Sequence, residues 1–162
     1  MNRMTDSLPT EVTVLTDVNV LAIALTDDHP AHDDVYPWLQ EAIDGPNVLL
    51  VFDYYPLRAQ YLMTSSFGVD GVAARNAVQS LVRSPARIVS ATETTLLEAY
   101  EVSAEKNHDV YDSFIVALAR EYEADYLITT DDDFDELCDD EAVKYVNPIP
   151  AEKRDKLALI DG

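Results

Sequence analysis

Residues 108–134 read HDVYDSFIVALAREYEADYLITTDDDF, and this stretch decides the fold. Apolar side chains recur every three to four residues across 110–122, which predicts an amphipathic helix packed against a core. They are Tyr111, Phe114, Ile115, Leu118, Ala119 and Tyr122. Asp109 stands where an N-cap is expected, and the run YLIT at 126–129 predicts a buried strand. A helix that leads within a few residues into a buried strand is typical of a parallel α/β sheet.

The rest of the chain repeats this alternation. Short β-branched or aliphatic runs predict strands at 12–16, 47–52, 87–89 and 144–146, and helical patterns lie at 19–25, 32–44, 56–65, 70–83, 92–107 and 132–138. We therefore expect an α/β fold with a central parallel sheet of about five strands and helices on both faces. At 162 residues, the chain suits one domain at 12–147, with a flexible lead-in at 1–11 and a loosely packed extension at 148–162.

The charge and the single cysteine indicate where the protein works. Eleven Lys and Arg residues face 31 Asp and Glu residues, for a net charge of −20. Self-repulsion of this size destabilises a compact state unless salt screens it, which predicts a salt-rich cytoplasm such as that of a halophilic archaeon. Cys138 is alone, which fits a reducing compartment, and neither a signal peptide nor a membrane-spanning apolar run is found. We expect a cytoplasmic protein with no membrane partner.

The charge predicts a stability that depends strongly on salt. Molar KCl shortens the Debye length to about 3 Å, so we expect the midpoint of thermal unfolding to rise steeply between dilute buffer and molar KCl. Circular dichroism melts over a KCl series measure this effect. Equal stability in low and molar KCl would contradict the prediction.

Carboxylates stand at the points where predicted strands end. Asp17 follows the strand at 12–16, Asp131 follows the strand at 126–129, and Asp112 opens the periodic helix. Because ligands of parallel α/β sheets lie beyond the carboxyl ends of the strands, we expect these three side chains to converge. Crowded carboxylates repel one another, and hard oxygen ligands without His or Cys favour Mg²⁺ or Mn²⁺. The sequence thus predicts a divalent-metal site suited to phosphodiester chemistry.

The same residues also fit structural roles. Asp112 is as well placed to stabilise a helix N-terminus as to bind a metal, and capping of the next helix is the favoured role for Asp132. Asp17 is harder to explain structurally, because an acid between an apolar strand and an apolar helix is poorly solvated. His108 is predicted to be a loop residue rather than a ligand. The tyrosines Tyr54, Tyr55 and Tyr61 are predicted to pack rather than to stack on bases.

Together these motifs resemble the PIN-domain ribonucleases, in particular the VapC-type toxins of toxin–antitoxin pairs, over about residues 12–147. Asp17 with Asn19 in LTDVNVL is similar to the family's first motif. The block at 108–134 is similar to its closing motif, with Thr129, Asp131, Asp133 and Phe134 in the final turn. One position departs from the family pattern, because the stretch PLRAQYLM carries Gln60 where the family usually has a glutamate.

The resemblance implies a three-layer α/β/α fold and a Mg²⁺- or Mn²⁺-dependent endoribonuclease acting on single-stranded or loop RNA. It implies that Asp17, Asp112 and Asp131 bind the metal and that Asp133 assists catalysis, while Asn19 and Thr129 orient the carboxylates. Gln60 would contribute a carbonyl oxygen but no charge, and Asp53, seven residues earlier, is a candidate to compensate. A small antitoxin partner and a homodimer are implied as well.

Two other functions remain open at this point. Gln60 favours a PIN-like binding module with impaired catalysis that acts through a protein partner. Asp17 at the end of the first strand also fits a phosphoryl-transfer domain of the haloacid dehalogenase or response-regulator type. Haloacid dehalogenases have a second aspartate where this chain has Asn19, and neither rival explains the helix that begins near Asp112.

Overall fold

The computed structural model describes residues 7–154. In chain order the elements are β1 Thr13–Thr16, α1 Val18–Ala24, α2 His32–Ile43, β2 Val48–Phe52, α3 Tyr55–Ser65, α4 Gly71–Arg83, β3 Arg87–Val89, α5 Glu93–Lys106, α6 Val110–Glu121, β4 Tyr126–Ile128, α7 Asp133–Leu137 and β5 Lys144–Val146. Each predicted element is present, with its ends within two residues of the expected positions. No helix in this part of the chain is both long and apolar enough to cross a bilayer.

The strands form one five-stranded parallel sheet in the order β3-β2-β1-β4-β5. β1 lies at the centre, and its Leu15 is in register with Leu50 of β2 and with Leu127 of β4. Side chains alternate across the sheet, so Val14 packs in a core shared with α1 to α4, whereas Leu15 packs in a second core beneath α5 to α7. The two cores confirm the predicted three-layer α/β/α architecture.

The strand order brings remote segments to one edge. β1 and β4 are neighbours although more than 100 residues separate them, so the residues that follow both strands emerge side by side. The backbone N–H of Asp17 donates to the Ile128 carbonyl at 3.3 Å. This contact joins the end of β1 to the end of β4 and positions the candidate site.

The segments that flank the predicted domain pack more closely than expected. Residues 1–6 and 155–162 lie outside the described residues. Within the described part, Leu8 is buried and its N–H donates to Glu41 Oε1 at 2.8 Å, while Ile149 is buried in the same core. Lys153 forms an ion pair with Asp34 at 2.7 Å. These contacts join the described ends of the flanking segments to the domain, although isolated apolar side chains in polar segments carry no periodic signal.

Candidate active site

A cavity of about 730 Å³ opens beyond the carboxyl ends of β1 and β4. Asp17, Asp112 and Asp131 all line it, together with the exposed Asn19. The structure thus gathers the three carboxylates that the sequence predicted to converge, from positions up to 114 residues apart in the chain. Apolar and aromatic side chains form most of the remaining wall.

Asp17 is a buried acid that caps a helix. Its backbone is extended, and Oδ1 accepts the Val20 N–H at 2.9 Å, which begins α1. Oδ2 accepts a short hydrogen bond from the Thr129 hydroxyl. Burial raises the pKa of Asp17 to about 6, and the charges of Asp131 and Asp112 add to the rise, while the bonds from Thr129 and Val20 oppose it. An ionised Asp17 is therefore destabilising unless a cation lies nearby.

Thr129 connects two of the carboxylate-bearing residues. Its hydroxyl donates to Asp17 and also accepts the backbone N–H of Asp131 at 3.1 Å. In turn, Oδ1 of Asp131 accepts the backbone N–H of Asp133, the first residue of α7, at 2.9 Å. A single buried side chain thus holds the end of β1 and the turn after β4 in one fixed arrangement.

Asp109, rather than Asp112, caps α6. Oδ1 of Asp109 accepts the backbone N–H of Asp112 at 2.9 Å, as the sequence predicted for an N-cap. The Asp112 carboxylate is therefore not used for capping, and its Oδ2 lies 3.0 Å from His108 Nε2. Burial raises the pKa of Asp112 to about 6, and the contact with His108 opposes that rise. His108 lies in the loop before α6, as predicted, and its imidazole faces this carboxylate.

His108, Asp112 and Asp133 form the tightest group at the site. One ligand atom from each lies within 4.8 Å of the others, and among residues 7–154 no other group of three His, Cys, Asp or Glu side chains meets this spacing. Asp17 and Asp131 act on Asp112 through space but stand outside the group. The predicted carboxylates thus form two groups that share Asp112. Asp17 and Asp131 line the cavity on the buried side, and Asp133 lies beside His108 on the exposed side.

Asp132 does not cap α7 through its side chain, contrary to the sequence prediction. Its Oδ1 accepts hydrogen bonds from the Tyr145 hydroxyl, from Asn147 Nδ2 and from Arg154 Nη1, at 2.9 to 3.2 Å. These donors come from β5 and from the segment after it. They hold the Asp131–Asp133 turn from the side away from the cavity.

Neither Gln60 nor Asp53 is among the described residues that line the cavity. Tyr54, Tyr55 and Arg58 line it from the start of α3. Gln60 comes two positions after Arg58 and therefore lies about 200° around the helix from it, on the far side. Asp53 follows β2 at the same edge of the sheet, where it is exposed and accepts a hydrogen bond from Ser90 Oγ at 2.7 Å. Neither side chain thus reaches the cavity wall, and their predicted role in supporting the metal ligands stays a prediction.

Tyr54 and Tyr61 do not pack as predicted, whereas Tyr55 does, and exposed tyrosines line part of the cavity. Tyr54 and Tyr61 are more than half exposed, as are Tyr100 and Tyr111, and all of these except Tyr61 line the cavity. Tyr55 is half-buried and packs edge-to-face on Phe52. Burial raises the pKa of Tyr55, and the charges of Asp17 and Asp112 raise it further. The Tyr55 phenol therefore stays neutral beside the carboxylates.

The donors at the site fit a divalent cation. Oxygen atoms of Asp17, Asp112 and Asp131 face one cavity, and within the described residues no Lys or Arg forms an ion pair with any of them. Arg58 lines the cavity, but its guanidinium lies over the Tyr61 ring at 5.8 Å. Buried carboxylates without a cationic partner are unfavourable, and a hard dication such as Mg²⁺ or Mn²⁺ relieves this repulsion.

The model of the PIN domain family matches residues 14–140 of the sequence. The chain belongs to the PIN domain family. This match confirms the resemblance drawn from the two motifs, and it spans the strands and helices that position Asp17, Asp112 and Asp131 in this PIN domain.

Solved structures with the same fold include VapC proteins. VapC20 of Mycobacterium tuberculosis, a sarcin–ricin loop cleaving toxin, has a TM-score of 0.60 and 18% identity, with 75% of this chain and 92% of that chain covered. VapBC2 of Rickettsia felis, bound to a DNA fragment from its promoter, has a TM-score of 0.62 and 16% identity, with 83% and 98% covered. PAE2754 of Pyrobaculum aerophilum has a TM-score of 0.54 and 18% identity, with 91% and 98% covered. No curated protein sequence matches this PIN domain significantly.

Proposed function

We propose that this PIN domain is a metal-dependent endoribonuclease of the VapC type, which hydrolyses RNA phosphodiester bonds with Mg²⁺ or Mn²⁺. The observation that carries the proposal is the buried Asp17 carboxylate, which shares one cavity with Asp112 and Asp131 and has no Lys or Arg ion pair among the described residues. A binding module has no need of an uncompensated buried charge, because such a charge lowers its stability. A site for a catalytic dication explains why the charge is kept.

In this mechanism, Asp17, Asp112 and Asp131 would hold the ion, and Asp133 would assist from the exposed side. When bound, such an ion supplies positive charge that stabilises the negative charge developing on the phosphate and on the leaving oxygen. Thr129 keeps Asp17 and Asp131 in fixed positions through its two hydrogen bonds. Asn19, exposed at the cavity, is placed to contact the phosphate or a water.

The cavity wall supports an unpaired RNA substrate. Tyr54, Tyr100 and Tyr111 present exposed rings, on which unstacked bases can stack. Arg58 is the one cationic residue among the described residues of the lining, so phosphate contacts are few. A chain with a net charge of −20 gains little from long-range attraction to RNA. Stacking and the bound dication would then supply most of the affinity.

A chelator-controlled cleavage assay tests this function. The purified chain is incubated in molar KCl with end-labelled RNA hairpins that carry unpaired loops. We expect cleavage with Mg²⁺ or Mn²⁺, none with EDTA, and recovery when excess Mn²⁺ is added. Absence of cleavage with every dication, together with normal folding, would favour the impaired binding module. An acetyl phosphate adduct on Asp17 would favour the phosphoryl-transfer class.

Partner proteins are proposed from an exposed apolar rim on α3 and α5, the two helices that also bear cavity-lining residues. The rim consists of Leu57 and Tyr61 on α3 and of Leu96, Leu97 and Tyr100 on α5, each at least half exposed. Apolar patches of this kind mark protein interfaces. The VapBC2 structure contains a toxin with its antitoxin, which supports a small antitoxin partner for this chain as well. A co-encoded small open reading frame whose product blocks cleavage would identify it.

A homodimer is the second proposed assembly. We expect light scattering to give twice the chain mass of 18.1 kDa, and we expect Leu97→Lys to shift the protein toward a monomer, because a charge in an apolar interface is costly. Val82→Lys is the matched control, since Val82 is an exposed apolar residue on α4, away from the rim. A wild-type chain that elutes as a monomer at all concentrations would rule the homodimer out.

A further inference from the structure

The exposed side of the site combines an imidazole with carboxylates. His108 Nε2 lies 3.0 Å from Asp112 Oδ2, 3.7 Å from Asp109 Oδ2 and 4.0 Å from Asp133 Oδ2. Within the described chain, no Lys or Arg pairs with any of these carboxylates. The negative charge around this one ring therefore has no permanent cationic partner.

The spacing of the group suits one small ion. Ligand atoms of a first-row dication lie about 2.0 to 2.2 Å from it, so they lie up to about 4.4 Å from one another. The ligand atoms of His108, Asp112 and Asp133 lie within 4.8 Å of one another, which is close to that range before any side chain moves. Asp133 is mostly exposed and can turn toward the ring without disturbing a packed core.

The chemistry of the donors decides which ion fits best. Imidazole nitrogen is a borderline-soft ligand that binds Mn²⁺, Co²⁺ and Zn²⁺, whereas Mg²⁺ strongly prefers oxygen. The buried side of the site, with Asp17 and Asp131, offers oxygen ligands alone. The two groups of ligands therefore differ in the ions they favour, although they share Asp112.

We propose that His108, Asp112 and Asp133 form a mixed nitrogen–oxygen site that binds Mn²⁺ or another transition dication in preference to Mg²⁺. In this site Nε2 of His108 is a direct metal ligand rather than only a hydrogen-bond partner of Asp112. The inference shares Asp112 with the proposed nuclease site. Its test measures metal binding alone, so its failure and the failure of the nuclease function are distinguishable.

Pulsed electron paramagnetic resonance of the full chain loaded with Mn²⁺ provides the test. We expect ¹⁴N modulation from a coordinated imidazole in the wild type, and its loss in His108→Gln. Isothermal titration in molar KCl should show Mn²⁺ binding about tenfold weaker in His108→Gln, with Mg²⁺ affinity changed much less. His32→Gln is the matched control, because His32 lies at the start of α2 and does not belong to the group of His108, Asp112 and Asp133, and it should retain the signal.

Two results would overturn the proposal. The first is a wild-type Mn²⁺ complex without ¹⁴N modulation, which would leave His108 as a positioning residue for Asp112. The second is modulation that persists in His108→Gln and disappears in His32→Gln, which would assign the signal to a different imidazole. Circular dichroism of each variant confirms that the comparison is made on folded protein.

Discussion

Asp17→Asn is expected to lower RNA cleavage by about 100-fold or more while the fold stays intact. The asparagine side-chain oxygen can still accept the Val20 N–H that begins α1, so the cap is preserved. It supplies no negative charge, however, and the cavity then holds the dication less tightly. Initial cleavage rates on the same labelled hairpins, at one fixed Mn²⁺ concentration below saturation, measure the loss.

The comparison needs variants on both sides of the cavity. Asp112→Asn and Asp131→Asn should produce losses of similar size, because each removes one of the three converging charges. Asp139→Asn is the matched control, since Asp139 is an exposed acid that does not line the cavity, and it should cleave at the wild-type rate. Full activity in Asp17→Asn would remove Asp17 from the mechanism.

The metal-free protein is expected to lose stability as the pH rises from about 4 to about 6. The pKa of Asp17 lies at about 6 in the folded chain, above its ordinary value of 3.8, because the carboxyl is buried. Between these values the folded state keeps a proton that the unfolded state releases. The stabilising contribution is therefore complete below pH 3.8 and is lost as the pH rises through 6. The shift corresponds to a free energy on the order of 3 kcal/mol.

Urea unfolding at several pH values, in molar KCl with EDTA, measures this effect while salt screens the general repulsion. Asp17→Asn should reduce the pH dependence over this window, because the variant has no titrating group at that position. Asp112, whose pKa burial also raises to about 6, keeps its own contribution. Mn²⁺ at pH 7 should restore the stability of the wild type, and the gain in stability should be smaller in the variant. An identical slope in the two proteins would show that the raised pKa of Asp17 does not govern the pH dependence.

The carboxylate predictions succeeded where the backbone alone determined position. Asp17 and Asp131 follow adjacent parallel strands, so knowing that both strands belong to one sheet is nearly enough to place them. For Gln60 the backbone alone was not enough. Its place at the site depended on the rotation of α3, and a shift of one or two residues along a helix moves a side chain to another face. The helix presents Arg58 and Tyr55 to the cavity instead.

His108 and Asp132 show a second limit. Each is a polar residue beside a motif, and short polar side chains carry no periodic signal of their partners. His108 meets Asp112 one helical turn later only because Asp109 begins α6 at that point. Asp132 is held by Tyr145, Asn147 and Arg154, which come from a later strand and from the segment after it.

By itself, the sequence determined the elements, their alternation, the parallel sheet and the family, because hydrophobic periodicity and caps are local properties of a chain. Only the tertiary structure decided that Thr129 joins Asp17 to Asp131, that His108 faces Asp112 and that tyrosines surround the cavity. The physical reason is that strand order, helix rotation and side-chain pairing depend on contacts between residues far apart in the chain. Such contacts form only when the two cores pack on the sheet.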